Sequence, residues 1–187
     1  MEETPLVKGE IISGQTCISD KNMIHELEQK GYGEIEKEKL FLKQFETLYL
    51  LYAKRLILKK GNKQIDFNSF MSLSQKTNPE ILTKFLIYRD LRNRGYVVKD
   101  GFGFGSDFRV YERGHFGEKG AKFLIFGLNE GQQEKIGNLQ KKIEEITQMG
   151  KEPIIAVIER RGEIIYYKIN RMNFNENKAR LEESFQL

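Results

Sequence analysis

Residues 108–114 read Phe108-Arg109-Val110-Tyr111-Glu112-Arg113-Gly114, and they predict a strand that runs into a loop. The β-branched and aromatic residues favour an extended chain, while the glycines at 114 and 117 favour the loop that follows. A tyrosine hydroxyl and two guanidinium groups therefore stand where a strand ends. Because a phenol beside cations suits the handling of phosphate groups, this strand end is the first candidate site.

The patterns on both sides of this strand predict two units. A hairpin at 7–19 and helices at 21–30, about 38–54 and 67–75 predict a small N-terminal α+β domain. Pro79 suits the first turn of a further helix, so we place the domains at 1–78 and 79–187. The second unit alternates helices with strands and ends in a hairpin at 153–170, which predicts a mixed sheet flanked by helices. The predicted fold class is α+β.

Charge is divided unevenly between the two units. The 187 residues hold 31 Lys and Arg against 27 Asp and Glu, a net charge of +4. Residues 81–187 hold 19 basic and 15 acidic residues, whereas residues 1–80 hold 12 of each. The C-terminal unit is therefore favoured as the site of an anionic partner. A solvated surface with a slight excess of charge is the alternative interpretation.

The chain has few residues that could bind a metal. Cys17 is the only cysteine, and His25 and His115 are the only histidines. A cysteine zinc site, an internal disulfide and a site of several histidines are therefore excluded, and we expect neither a metal nor a cofactor. No apolar run approaches the 18 or so residues of a membrane span. We expect a cytoplasmic protein without a membrane partner.

Three side chains could together supply metal-free RNA cleavage. Tyr111, His115 and Lys151 offer a base for the 2′-hydroxyl, an acid for the departing 5′-oxygen and a cation for the phosphorane. The 2′-hydroxyl is itself the nucleophile, so no serine, cysteine or metal is needed. Each residue also has a structural interpretation: a packing tyrosine, a solvated loop histidine and a surface lysine. Candidate RNA-binding cations nearby are Arg109, Arg113 and Lys119.

Three segments carry a resemblance to a known family: residues 88–99, 104–114 and 156–167. They resemble the archaeal tRNA-splicing endonuclease family, with weaker agreement at 31–33 and 42–51. The resemblance implies a nuclease-like C-terminal domain and a metal-independent endonuclease. Such an enzyme excises introns from precursor tRNA at a bulge-helix-bulge, leaving a 2′,3′-cyclic phosphate and a 5′-hydroxyl.

The family's triad of tyrosine, histidine and lysine is incomplete in this chain. Tyr111 and Lys151 match the tyrosine and the lysine. Family members typically have a His-Ser-Lys-aromatic step before the buried strand, and this chain reads Gly120-Ala121-Lys122-Phe123 at that step. His115 lies in the same loop, four residues after Tyr111, and is the alternative acid.

Some family members are heterotetramers in which a structural relative has lost active-site groups. The resemblance therefore favours a structural, RNA-positioning subunit, with precursor tRNA and a related subunit, or a second copy of itself, as partners. Two alternatives stay open: a catalytic subunit that uses Tyr111, His115 and Lys151, and a generic nucleic-acid-binding module. The resemblance also implies subunit contacts through the C-terminal hairpin and an acidic loop, with the residues Ile164, Tyr166, Ile169 and Glu130.

Overall fold

The computed structural model describes residues 6–101, 105–129 and 136–170. Its N-terminal part holds a six-stranded sheet in the order β3-β4-β2-β1-β5-β6, in which β1 and β5 are parallel and the other neighbours antiparallel. The strands are β1 (Val7–Ile12), β2 (Gln15–Ile18), β3 (Glu34–Glu36), β4 (Lys39–Leu42), β5 (Leu56–Lys60) and β6 (Lys63–Ile65). The helices are α1 (Lys21–Gln29), α2 (Gln44–Tyr52) and α3 (Phe67–Thr77).

The C-terminal part holds a five-stranded sheet in the order β11-β10-β9-β8-β7, in which only β9 and β10 are parallel. Its elements are α4 (Ile81–Asn93), β7 (Val97–Asp100), β8 (Phe108–Tyr111), β9 (Phe123–Asn129), α5 (Ile136–Gln148), β10 (Glu152–Ile158) and β11 (Ile164–Lys168). The predicted α+β fold with a mixed sheet is confirmed. Within the described ranges, no helix has the length and apolar character needed to cross a membrane.

The predicted helix at 38–54 was wrong in its first turns. Residues 39–42 form β4, which pairs with β2 and β3, and the helix begins only at Gln44. Leu40 and Leu42 are buried while Phe41 between them is less so, and this alternation is that of a strand. The side chain of Glu46 accepts a hydrogen bond from the Lys43 N–H at 2.8 Å, which closes the start of the helix.

One apolar core runs through both halves of the chain. Phe45 of α2 lies 4.9 Å from Tyr88 of α4 and 5.1 Å from Phe108 of β8, measured between ring centroids, and all three are buried. Helix α4 is thus packed between an N-terminal helix and the C-terminal sheet. The predicted boundary between residues 78 and 79 lies within this continuous core, and it stays a prediction.

Half-buried polar groups also join the two halves, at residues 30–33. Both terminal nitrogens of Arg92 donate hydrogen bonds to the carbonyl of Lys30 at 3.0 Å, and its guanidinium carbon lies 4.0 Å from the ring centroid of Tyr32. Lys99 donates to the carbonyl of Gly33 at 2.5 Å. Arg92 and Lys99 belong to the C-terminal half, so two cations of that half bind the carbonyls of a turn in the N-terminal half.

A buried carboxylate completes this arrangement. Glu46, only 2% exposed, accepts a hydrogen bond from the Gly33 N–H at 3.0 Å in addition to the one from Lys43. Arg92 and Lys99 also lie close enough to attract its charge. We call residues 30–33 together with Glu46, Arg92 and Lys99 the polar clamp.

Gly31, within the clamp, is fixed by space as well as by conformation. Its φ of +75° is one that glycine adopts readily. A Cβ at this position would lie 2.3 Å from the Cγ1 of Val97 and 3.3 Å from the ring of Phe116. The turn therefore lies directly against β7 and against the loop that follows β8.

We expect Gly31→Ala to destabilise the chain more than Gly14→Ala does. Both glycines have positive φ, but a Cβ at Gly14 meets nothing within 4 Å. Both substitutions carry the backbone strain of about 1 kcal/mol, and only Gly31→Ala adds a steric cost of about 1–3 kcal/mol. Urea denaturation of the two variants measures the difference, and equal losses would contradict the close approach of Gly31 to Val97.

We also expect Glu46→Gln to change how stability depends on pH. Burial raises the pKa of the Glu46 carboxyl above its ordinary value of 4.5, against the two backbone hydrogen bonds, which lower it. The folded chain therefore holds this proton more tightly than the unfolded chain, so the contribution of Glu46 to stability falls as pH rises. The unfolding free energy of the parent minus that of the variant should decrease between about pH 4 and pH 7.

The test is the slope of this free-energy difference against pH. Loss of a hydrogen bond alone would change the difference by the same amount at every pH and would leave the slope at zero. Glu28→Gln, on an exposed position of α1, serves as the control and should give a flatter difference. A difference for Glu46→Gln that grows with pH would show that burial does not raise the pKa of this carboxyl.

Candidate functional site

Tyr111 is the last residue of β8, and its ring is fixed by the loop that follows. It pairs in register with Val97 of β7. Its ring meets that of Phe116 edge to face, with centroids 5.0 Å apart, and the side chain is half-buried. Among the described residues, no side chain or backbone group is hydrogen-bonded to its hydroxyl. The phenol is thus held in place by packing, while no group in the described ranges is bonded to its hydroxyl.

The loop after Tyr111 is closed by an ion pair. Glu112 lies 2.5 Å from the Nζ of Lys122, and the hydrogen bond from Lys122 is the main reason that the pKa of the Glu112 carboxyl is lowered. The backbone of Lys122 donates to the carbonyl of Val110 at 2.9 Å, so the two ends of the loop meet. Residues 112–122 therefore leave the sheet and return to it at one point.

His115 lies inside this loop, with a charged group near each ring nitrogen. Its Nδ1 is 3.5 Å from the Oε2 of Glu112, which is ion-pair range without hydrogen-bond geometry. Its Nε2 is 3.4 Å from the Nζ of Lys119. A lysine ammonium can only donate, so in this arrangement the Nε2 is an acceptor without a proton to give. As the structure stands, the ring is poorly arranged for the role of a general acid.

Lys151 precedes β10, and its ammonium lies beside position 120 of the loop before β9. The Nζ of Lys151 donates to the carbonyl of Ala121 at 2.6 Å. A Cβ at position 120 would lie 3.9 Å from that Nζ, in ordinary van der Waals contact, and Gly120 has no positive φ. A side chain at position 120 would therefore stand beside the Lys151 ammonium without backbone strain.

The sheet register brings Tyr111 and Lys151 to the same level. Val110 pairs with Phe123, and Phe123 with Glu152, so the next residues along are Tyr111, Lys122 and Lys151. Two inter-strand spacings separate the backbones of Tyr111 and Lys151 by about 10 Å. The backbones of Tyr111 and Lys151 thus lie at the same end of the sheet. Among the described residues, no three His, Cys, Asp or Glu side chains are grouped as metal ligands.

The three predicted RNA-binding cations differ in their surroundings. Arg113 is exposed, and its guanidinium carbon lies 4.8 Å from the ring centroid of Tyr96. Lys119 is exposed beside His115. Arg109 is half-buried within β8, where it pairs in register with Lys99 of the polar clamp. Arg113 and Lys119 are thus open to a ligand at the sheet end, whereas Arg109 lies within the sheet.

Sequence reasoning missed the groups that hold Tyr111 and its loop. Phe116 carried a signal, because it is the only large apolar residue between Gly114 and Ala121. Gly31 lies 80 residues upstream of Tyr111, and no pattern in the sequence connects them. The same holds for Glu112 and Lys122, whose pairing depends on where the loop returns to the sheet.

The predicted interface residues in the C-terminal hairpin face their own chain. Ile164 and Tyr166 pack against the core, and the Tyr166 hydroxyl donates to the Oδ2 of Asp90 at 2.8 Å. Burial, followed by this carboxylate, raises the pKa of Tyr166. Ile169 is half-buried, and its N–H donates to the carbonyl of Pro153. Glu130 lies outside the described residues.

Comparisons with known proteins agree with this architecture. A family described as tRNA intron endonuclease, N-terminal domain, matches residues 7–71, and one described as tRNA intron endonuclease, catalytic C-terminal domain, matches residues 81–166. The tRNA-splicing endonuclease of Methanococcus vannielii is 33% identical over 153 residues, covering 81% of this chain and 86% of that protein. That of Pyrococcus furiosus is 30% identical over 167 residues, covering 87% and 95%. That of Thermococcus kodakarensis is 31% identical over 165 residues, covering 87% and 97%. The chain belongs to the tRNA-splicing endonuclease family.

Proposed function

We propose that this chain is the structural, RNA-positioning subunit of a heterotetrameric tRNA-splicing endonuclease. The complex would excise introns from precursor tRNA at bulge-helix-bulge sites without a metal, leaving a 2′,3′-cyclic phosphate and a 5′-hydroxyl. One observation carries the assignment to a structural role. A Cβ at position 120 would lie 3.9 Å from the Lys151 ammonium, but the residue there is Gly120, which has no group that can donate a proton.

The lack of a proton donor at position 120 would affect the rate of RNA cleavage. Cleavage by the 2′-hydroxyl needs a proton for the departing 5′-oxygen, and a positioned general acid typically contributes about 10²–10⁴-fold in rate. Tyr111 and Lys151 would supply a base and a cation, but neither replaces the acid. In a complex with a histidine-bearing relative, this chain would be free to lose that group and to keep the RNA-binding surface.

The alternative is a catalytic subunit that uses Tyr111, His115 and Lys151. The observation that favours it is the presence of His115 in the same loop, beside Lys119. The imidazole would have to turn away from Lys119 and Glu112 to donate a proton from its Nε2. Binding of RNA phosphates to Lys119 is one event that would release the ring.

The subunit contact that we propose uses the edge strand β11. Ile165 and Tyr167 are 37% and 51% exposed, on the side of the strand opposite to Ile164 and Tyr166. We infer that Ile164 and Tyr166 hold the strand against its own core, and that the exposed pair and the free backbone edge meet the partner. Glu130 remains a proposed contact in the acidic loop.

Reconstitution separates the two roles. The purified chain and an intron-containing precursor tRNA should give no product until a related subunit with an intact histidine is added. In that mixture, Tyr111→Phe in this chain should change the cleavage rate by less than about twofold, because its hydroxyl would not be the base. The same change at the corresponding tyrosine of the histidine-bearing subunit is the matched control and should abolish most of the rate. Loss of rate from Tyr111→Phe here would favour the catalytic alternative.

Gly120→His is expected to give this chain cleavage activity of its own. The imidazole would stand beside Lys151, on the loop that Tyr111 precedes, and would supply the missing acid. Product formation by the single variant, without a second subunit, is the measurement. Gly120→Phe adds a ring of similar size without a titratable group and should stay inactive. If Gly120→His folds and is also inactive, position 120 is not the place of the missing acid.

A further inference from the structure

The hairpin formed by β5 and β6 carries an excess of positive charge. Residues 53–65 contain five basic residues and no acidic one, although residues 1–80 as a whole are neutral. Three of these basic residues lie at the tip of the hairpin and are exposed: Lys59, Lys60 and Lys63. Lys63 lies on β6, an outer strand of the six-stranded sheet, and Lys59 and Lys60 end the neighbouring strand β5. We call these three the basic edge.

The register places two of these lysines directly opposite one another. Lys60 pairs with Lys63 across the two-residue turn, and Lys59 pairs with Gln64. Like charges in opposed positions of an antiparallel pair are destabilising. Within the described ranges, none of the three lysines forms an ion pair. The hairpin therefore keeps a repulsive contact that nothing in the described fold requires.

Two acidic groups lie near the basic edge, and neither is in register with Lys60 or Lys63. Glu10 of β1 is level with Lys59 on the neighbouring strand. Asp66 attracts Lys63 at longer range, but its carboxylate caps α3 by accepting a hydrogen bond from the Ser69 N–H at 2.7 Å. The opposed pair Lys60–Lys63 lies at the turn, one residue further along the hairpin than the Lys59 that Glu10 faces.

The other outer edge of the same sheet is compensated. In the hairpin of β3 and β4, Glu36 pairs in register with Lys39, and Glu34 lies 3.9 Å from the Nζ of Lys43. Five inter-strand spacings, about 24 Å, separate this edge from β6. Opposite charges are thus paired at one edge of the sheet, while like charges are paired at the other.

We propose that the basic edge binds the phosphate backbone of RNA, at a surface separate from the Tyr111 and Lys151 site. Phosphate groups would relieve the repulsion between Lys60 and Lys63, which is the reason for keeping the two together. The inference rests on the proposed function only for the choice of RNA as the polyanion. Lysines on outer strands also prevent edge-to-edge association of sheets, and this role is the competing explanation.

The test is the salt dependence of RNA binding by the double variant Lys60→Gln, Lys63→Gln. The dissociation constant is measured over a range of salt for an intron-containing precursor tRNA and for a plain RNA duplex. Each lost phosphate contact lowers the slope of log affinity against log salt by about 0.7–0.9, so we expect a decrease of about 1.5. The variant should unfold no more easily than the parent, because the opposed charges are gone.

Lys21→Gln, Lys76→Gln is the matched control, with the same change of charge at two exposed lysines of α1 and α3. It should leave the slope unchanged. The proposal is overturned if the control lowers the slope equally, or if the basic-edge variant keeps the parent slope. An unchanged slope together with concentration-dependent association in light scattering would assign the lysines to edge protection.

A single variant and a plain RNA duplex separate the remaining outcomes. If the double variant does not fold, Lys63→Gln alone should lower the slope by about 0.7–0.9. Binding to the plain duplex needs no cleavage, so a lowered slope there supports the basic edge even if no mixture of subunits splices tRNA. Splicing by a mixture whose slope is insensitive to Lys60 and Lys63 would overturn the basic edge and leave the proposed function standing.

Discussion

The polar clamp at residues 30–33 is the contact on which both the fold and the candidate site depend. Arg92 and Lys99 reach from the C-terminal half to the carbonyls of this turn, and Glu46 accepts its N–H. Glu46 is buried and Arg92 and Lys99 are half-buried, and polar groups removed from water are costly without partners, so each of these groups depends on the others. Gly31, in the same turn, lies so close to Phe116 that an added Cβ would be 3.3 Å from the ring that packs on Tyr111.

Tyr111 and Lys151 have structural roles, which limits how far their presence indicates catalysis. The tyrosine ring packs on Phe116, and the lysine ammonium holds the carbonyl of Ala121 at the end of the loop. Both side chains therefore stabilise the loop whether or not any RNA is cut. A subunit that had lost catalysis would still retain them, because removing either would loosen the loop. Their presence is weak evidence for catalysis, whereas the glycine beside Lys151 bears directly on it.

The sequence was sufficient where local patterns and packing agree. The strand at Phe108–Tyr111, the glycine loop after it and the mixed sheet followed from alternation and turn residues. The failure at Lys39–Leu42 has a physical cause. Leu40 and Phe41 fit one helix face together with Phe45, whereas Leu40 and Leu42 fit one strand face, and pairing with β2 decides between them. Proximities that depend on where a loop returns to the sheet, such as that of position 120 to Lys151, or on distant turns, such as that of position 31 to Phe116, leave no pattern in a single sequence.

Charge was the property that counting residues described least well. Residues 1–80 sum to zero, yet the two outer edges of their sheet differ, with Glu36 opposite Lys39 at one and Lys60 opposite Lys63 at the other. Screening in physiological salt extends over about 8 Å, whereas the edges are about 24 Å apart. Acidic residues at one edge therefore cannot neutralise the other for a ligand that binds there. What an anionic partner experiences is the local charge, and strand order, which the composition does not contain, determines it.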